Sequence, residues 1–201
     1  MRTSPKTWKL PISGAYGRRD EGSLPRRQPD RRHGRRGVVP FLREFLPGHE
    51  YVNLGANGDT IAGLRRRAER LAPHLRGDVA IVWIGTNDVL TYPDWVDNSP
   101  AAEEDYRLLL RAVAARVRVV FAVPPLVAGS GLAEIYDYSL GRATEMVRRV
   151  SEEAGCRYLD IQSSFAGRPG REFTVDGTHL NDAGARLVAE VLSEYLRTVL
   201  V

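Results

Sequence analysis

Three short clusters carry the groups from which an acyl-transfer site can be built. The first is Asp176-Gly-Thr-His179. A carboxylate three residues before a histidine can reach the ring, fix its tautomer and steady the imidazolium formed when the ring accepts a proton. Such a pair on its own also arises often by chance. The second is Gly85-Thr-Asn-Asp88, which offers the Asn87 side-chain amide as a donor just past an apolar run. Read alone, Asn87 and Asp88 serve equally well as turn residues. The third, Asn53-Leu-Gly-Ala-Asn-Gly-Asp-Thr60, presents glycine amides at the start of a helix, where they can hold an anion. Read alone it is a glycine-rich turn. Acyl transfer needs a base oriented by a carboxylate and donors aimed at a developing oxyanion, and the three clusters together supply both.

These clusters must be held by a scaffold, and from Val38 onward the chain alternates β-rich runs with helical patterns, as βαβ units around a parallel sheet do. The strand candidates are 50–54, 78–84, 116–123 and 156–161. The runs Asp78-Val-Ala-Ile-Val-Trp-Ile84 and Arg116-Val-Arg-Val-Val-Phe-Ala-Val123 are almost continuously apolar, as expected of strands covered on both faces. Ile61, Leu64, Ala68, Leu71 and Leu75 recur at helical spacing behind Thr60 as N-cap, and Tyr106, Leu109, Leu110 and Val113 repeat the pattern. Another helix is predicted from Ile135 to Val150. A last one starts at about Asp182 behind Asn181 as cap, with Leu187, Val188, Val191, Leu192, Tyr195 and Leu196 as its buried stripe. Each chemical cluster falls just past a strand or before the last helix, where an open α/β sheet gathers its ligand.

The order Asn-x-Gly-x-x-Gly-Asp-Thr, then Gly-x-Asn-Asp, then Asp-x-x-His before the last helix resembles blocks II, III and V of the SGNH/GDSL hydrolases, a family of serine esterases and lipases, over residues 38–201. Val123-Pro-Pro125 also looks like a loop common in that family. The resemblance implies an α/β chain with a three-layer α/β/α, flavodoxin-like parallel sheet in the order 2-1-3-4-5. It implies hydrolysis of carboxylic esters, acyl or acetyl, by a Ser-His-Asp mechanism. His179 is then the general base and Asp176 its orienting group, with the Gly58 N–H and the Asn87 side chain forming the oxyanion hole. Gly55 and Asp59 become shaping residues, and Asp88 a support for the Asn87 loop. The implied substrate is a small-molecule ester, either a lipid or an acetylated carbohydrate.

The family's first block, Gly-Asp-Ser-Leu at the end of strand one, has no counterpart in the first 37 residues. Arg, Pro and Gly crowd this leader, and no period of two or 3.6 runs through it. Its nearest strand candidate, Trp8-Lys-Leu-Pro-Ile12, contains Pro11, which cannot donate to a central ladder. Ser23, in Glu21-Gly-Ser-Leu24, is the nucleophile candidate by position, and Ser13 after Ile12 is the second; either is also readable as an ordinary loop residue. The chain has 27 arginines and two lysines, the mark of a GC-rich gene. Codons for Ser23 to Asp30 can be chosen so that the same bases, read one position on, spell Arg-Cys-Leu-Gly-Asp-Ser-Leu-Thr. The sequence therefore divides into a basic leader over 1–37, disordered or mistranslated from a shifted frame, and an SGNH-hydrolase-like domain over 38–201.

Composition narrows the rest. The leader holds 11 Lys/Arg and 3 Asp/Glu, so the net charge of +4 hides a body over 38–201 with 18 basic and 22 acidic residues. A nucleic-acid partner is therefore not expected, although the leader's charge and the Gly55–Thr60 cradle keep a nucleotide- or nucleic-acid-binding reading open. No Walker lysine follows those glycines. Cys156 is the single cysteine, so no internal disulfide is possible. His33, His49 and His74 lack partners at ligand spacing and read as surface residues, so neither metal nor cofactor is expected. No run reaches the ~18 apolar residues of a membrane span and no secretory signal opens the chain, which makes cytoplasm the default location. Substrate selectivity is expected from loops 91–105 and 126–138, where Tyr92, Trp95, Tyr136 and Tyr138 can line a pocket or simply pack. A chain of this fold without a nucleophile would be a ligand-binding protein that does not cleave, which is the alternative function.

Overall fold

The computed structural model of the chain describes residues 7–10, 36–71, 75, 77–91, 100–127 and 132–199. Parallel strands run down its centre: β1 (Thr7–Leu10), β2 (Glu50–Asn53), β3 (Gly77–Trp83), β4 (Val117–Val123) and the two-residue β5 (Arg157–Tyr158). Helices intervene as α1 (Val38–Phe45), α2 (Ile61–Leu71), α3 (Thr86–Thr91), α4 (Pro100–Ala114), α5 (Leu132–Glu153) and α6 (Asp182–Arg197).

The apolar runs explain the layering. Side chains of a strand alternate between faces. In β3, Val79, Ile81 and Trp83 join Phe41 and Leu42 of α1 and Val188 and Leu192 of α6 in one buried cluster. Ala80 and Val82 of the same strand, with Ile84 just beyond it, join Leu64 of α2, Leu110 of α4 and Val147 of α5 in the other. Helices thus cover both faces of the sheet, the three-layer α/β/α arrangement. Val79, Ile81 and Val82 are wholly buried, and each side chain of this kind contributes roughly 1.5–3 kcal/mol by leaving water. β3 pairs with β4 from Gly77 opposite Val117 to Trp83 opposite Val123, so both strands end at the same edge.

The leader contains one element that the sequence does not announce. Thr7–Leu10 pair in parallel with β2, Thr7 opposite Glu50 and Leu10 opposite Asn53, and lie alongside β3. The strand sequence is therefore β2-β1-β3-β4-β5, with hydrogen-bonded ladders joining β1 to β2 and β3 to β4 to β5. Pro11 does not prevent this because the strand ends at Leu10, one residue before the missing N–H. Ser13 and Ser23 lie outside the described residues, as does the remainder of 1–35.

Other boundaries shift for physical reasons. The run 156–161 is a strand only at Arg157 and Tyr158, prolonged by one bond from Leu159 N–H to the Ala122 carbonyl. Asp160 then turns its carboxylate onto the Gln162 and Ser163 amides and ends the strand. The two segments expected as selectivity loops are in part helical, since α4 begins at Pro100 and α5 at Leu132. Proline suits the first turn of α4, where its absent N–H is no loss. His49 is half-buried rather than a surface residue; His33 and His74 lie outside the described residues.

Candidate active site

The Asp176/His179 pair stands at the tip of a short antiparallel loop. Thr174 bridges Leu180, and the Val175 N–H donates to the His179 carbonyl at 2.9 Å. Between them Gly177 takes φ +89°, a left-handed conformation that side-chain-bearing residues adopt only under strain. That bend folds the Asp176 carboxylate back over the turn. Oδ1 accepts the amides of Thr178 at 3.1 Å and His179 at 2.8 Å, and Oδ2 lies 2.6 Å from His179 Nδ1. A carboxylate so placed favours the tautomer with the ring proton on Nδ1, which makes Nε2 the nitrogen that can accept one. Partial burial pushes the Asp176 carboxyl up, but the two amides and the His179 ring outweigh it and hold the group below its ordinary range. The His179 side chain is 32% exposed, enough to meet a substrate.

Asn181 straps this loop to α6. Its side-chain oxygen accepts the Gly184 N–H at 3.0 Å, its Nδ2 donates to the Glu172 carbonyl at 2.9 Å, and its own N–H donates to the Phe173 carbonyl at 2.9 Å. Leu180, next to the histidine, is buried in the cluster that contains Trp83 and Val123, the last residues of β3 and β4. Leu180 thus ties the dyad loop to the core layer that β3 and β4 share with α1 and α6, while the turns after β2 and β3 leave the sheet at its carboxyl edge.

The glycine-rich turn and the Asn87 turn are bonded to each other at that edge. The turn after β2 closes from the Asp59 N–H to the Ala56 carbonyl at 3.4 Å, with Gly58 at φ +68°. Thr60 caps α2 by accepting the Gly63 N–H, as its position before the apolar stripe suggests. Asn87 Nδ2 donates to the Asp59 carbonyl at 2.8 Å. An amide group has two N–H bonds, and this brace uses one of them. One residue on, both Asp88 oxygens accept the Ile61 N–H at 3.1 and 3.2 Å. Asp88 therefore does more than steady its own loop, because it binds the start of α3 to the start of α2. Burial is the largest influence on its carboxyl and pushes it up to about 6, against the lowering effect of the backbone amides.

Of the aromatic candidates, Tyr136 donates from its hydroxyl to the Leu90 carbonyl at 3.4 Å, a packing role, and Tyr138 is exposed. Tyr92 and Trp95 lie outside the described residues. Among the described residues no group of three His, Cys, Asp or Glu side chains stands close enough to hold a metal ion, and no helix is long and apolar enough to cross a membrane. Arg67 has a place beside the glycine turn that the sequence does not reveal, because in the run Arg65-Arg66-Arg67 it looks like one more solvated charge.

A sequence model of the GDSL-like Lipase/Acylhydrolase family matches residues 13–187. This chain belongs to that family. As a GDSL-like acylhydrolase it is an enzyme that hydrolyses esters, and the three-layer sheet is the family's fold. Solved structures agree on the fold. An acetyl xylan esterase, AlAXEase, superposes with TM-score 0.67 at 19% identity, covering 80% of this chain and 90% of that one. Axe2, an acetylxylan esterase from Geobacillus stearothermophilus, gives 0.61 at 21%, covering 81% and 78%. LAE5, an alpha/beta hydrolase enzyme from the metagenome of Lake Arreo, Spain, gives 0.62 at 22%, also covering 81% and 78%. No match is found among curated proteins.

Proposed function

We propose that this acylhydrolase cleaves small acyl esters, acetyl esters of carbohydrates foremost, with His179 as general base, Asp176 as its orienting carboxylate, and the Gly58 N–H and Asn87 side chain as oxyanion donors. The observation that carries this reading is the 2.6 Å contact between Asp176 Oδ2 and His179 Nδ1, supported by an Asn87 amide that is itself fixed through the Asp59 carbonyl. A serine hydroxyl attacks the ester carbonyl carbon and gives its proton to His179 Nε2. The tetrahedral oxyanion is held by the two donors until the C–O bond to the alcohol breaks and the proton follows the leaving oxygen. Water then repeats the sequence on the acyl-serine. The acetylxylan esterases among the fold's neighbours support the acetyl-carbohydrate assignment.

For the nucleophile, the end of β1 at Leu10 and the start of the family match at residue 13 favour Ser13 over Ser23. A second reading rests on the codon coincidence at Ser23–Asp30: the gene encodes Gly-Asp-Ser-Leu in a shifted frame, and the chain with its present leader binds esters without cleaving them. A fluorophosphonate, which the activated serine attacks with loss of fluoride, separates these. Peptide mass spectrometry of the labelled chain should find the adduct on Ser13. An adduct on Ser23 moves the assignment there. A label that appears only after the eight shifted-frame residues are restored establishes the second reading, and no label in either form defeats the serine mechanism. Release of acetate from acetylated xylan, compared with hydrolysis of long-chain p-nitrophenyl esters, tests the substrate class.

A further inference from the structure

We propose that Arg67 is a positioning residue for the oxyanion site, gripping the two ends of the glycine-rich turn so that the Gly58 N–H stays aimed at the substrate. The proposal rests on the oxyanion role given to Gly58 above. Gly58 cannot orient itself. It is exposed, sits at φ +68°, and has open space on the side where a Cβ would stand. Its direction must be imposed by the residues on either side.

Arg67 reaches both sides. Its Nη1 donates to the Leu54 carbonyl at 2.6 Å, before the glycine, while Nε at 3.2 Å and Nη2 donate to Asp59 Oδ2, after it. The guanidinium side chain is only 22% exposed and the Asp59 side chain 10%, so the pair is shielded from the screening that makes surface ion pairs weak. Its neighbours on α2 do other work: Arg65 pairs with Asp105 and Glu69, and Arg66 is exposed. The helix is also shaped to admit the carboxylate. A Cβ on Gly63 would lie 2.5 Å from Asp59 Oδ1, so that position stays bare. The loop is thus fixed at three points, by Arg67 from α2, by Asn87 from α3, and by Asn53 Oδ1, which accepts the Gly55 N–H at 2.9 Å.

A planar fork with five donors can hold a carbonyl and a carboxylate at once, which an ammonium on a flexible stem cannot do with the same geometry. Arg67→Lys should therefore behave like a weakened clamp, and Arg67→Met like none. Two readouts follow each variant. One is amide hydrogen exchange over residues 55–60, with the β3 amides of Ala80–Val82 as internal reference. The other is kcat and KM for p-nitrophenyl acetate. In Arg67→Met we expect exchange in the turn to rise at least about tenfold with β3 unchanged, and kcat to fall about 10–100-fold while KM stays within about twofold. Arg67→Lys should fall between. Should Arg67→Met fail to fold, Asp59→Asn removes the same ion pair from the other side and is expected to give the same pattern. Unchanged exchange in the turn, or accelerated exchange with unchanged kcat, overturns the proposal. If the parent has no His179-dependent turnover, the oxyanion reading fails separately, and the exchange measurement alone decides whether Arg67 holds the turn.

Discussion

The Asn87 side chain and the Asp59 carbonyl are 2.8 Å apart across the carboxyl edge of the sheet, which makes the glycine-rich turn and the asparagine turn one structural unit. Replacing Asn87 therefore removes this brace and, on the proposed mechanism, an oxyanion donor as well. Asn87→Ala is expected to lower kcat on p-nitrophenyl acetate by about 10²–10³, the usual effect of losing one oxyanion donor, with KM little changed. A variant that keeps full kcat would remove Asn87 from the mechanism.

Asp88 makes stability depend on pH. Its folded carboxyl is raised to about 6, so the folded chain binds a proton that the unfolded chain releases at lower pH. Stability from this group is fully present below the ordinary carboxylate range and is lost as pH rises through about 6. The difference is worth up to about 3 kcal/mol. Asp88→Asn keeps an acceptor for the Ile61 N–H and removes the titration. Urea unfolding at pH 4 and pH 7.5 should show the parent losing ground to the variant by about 1–3 kcal/mol on going to the higher pH. A constant difference between the two proteins would show that Asp88 does not titrate in this window.

Gly184 sets how closely the dyad loop lies on α6. A Cβ there would stand 2.2 Å from the Phe173 carbonyl, the group that accepts the Asn181 N–H. Gly184→Ala should force the loop outward, costing about 1–3 kcal/mol of stability and more than tenfold in kcat. Gly141→Ala in α5, where a Cβ meets nothing within 4 Å, should instead stabilise by roughly 0.5–1 kcal/mol with activity intact. Equal behaviour of the two variants in thermal melts and assays would contradict this account.

Tyr106 is fully buried, and its hydroxyl has no hydrogen-bond partner among the described residues. An unsatisfied buried polar group costs about 1–3 kcal/mol. Tyr106→Phe should leave Tm unchanged or raise it by a few degrees, since about 1 kcal/mol moves a chain of this size by roughly 2–4 °C. A fall in Tm would mean that the hydroxyl is satisfied in solution.

The sequence disclosed those parts of the structure whose cause is local. The runs 78–84 and 116–123 are apolar enough to specify buried strands, and the Asn181 and Thr60 caps act on amides three residues away, so all are readable from spacing. Asp176 and His179 are equally local, with Gly177 between them supplying the bend. What sequence could not disclose acts at a distance. Arg67 and Asp59 are eight residues apart, and nothing separates Arg67 from its two arginine neighbours until the helix is docked on the turn. Asp88 and Ile61 are 27 residues apart. The Trp8–Ile12 run is ambiguous in sequence because Pro11 argues against a central strand, whereas the strand ends at Leu10, just before it; α1 is hidden because an eight-residue helix offers too few turns for a clear period.

The most direct trial is ester turnover with and without the imidazole. The chain, and the same chain with the eight shifted-frame residues restored, would each be assayed on p-nitrophenyl acetate beside its His179→Ala counterpart. The account requires that at least one of the two hydrolyses the ester and loses about a thousandfold or more when His179 is replaced. Turnover that is indifferent to that replacement, or none in either form, would contradict it.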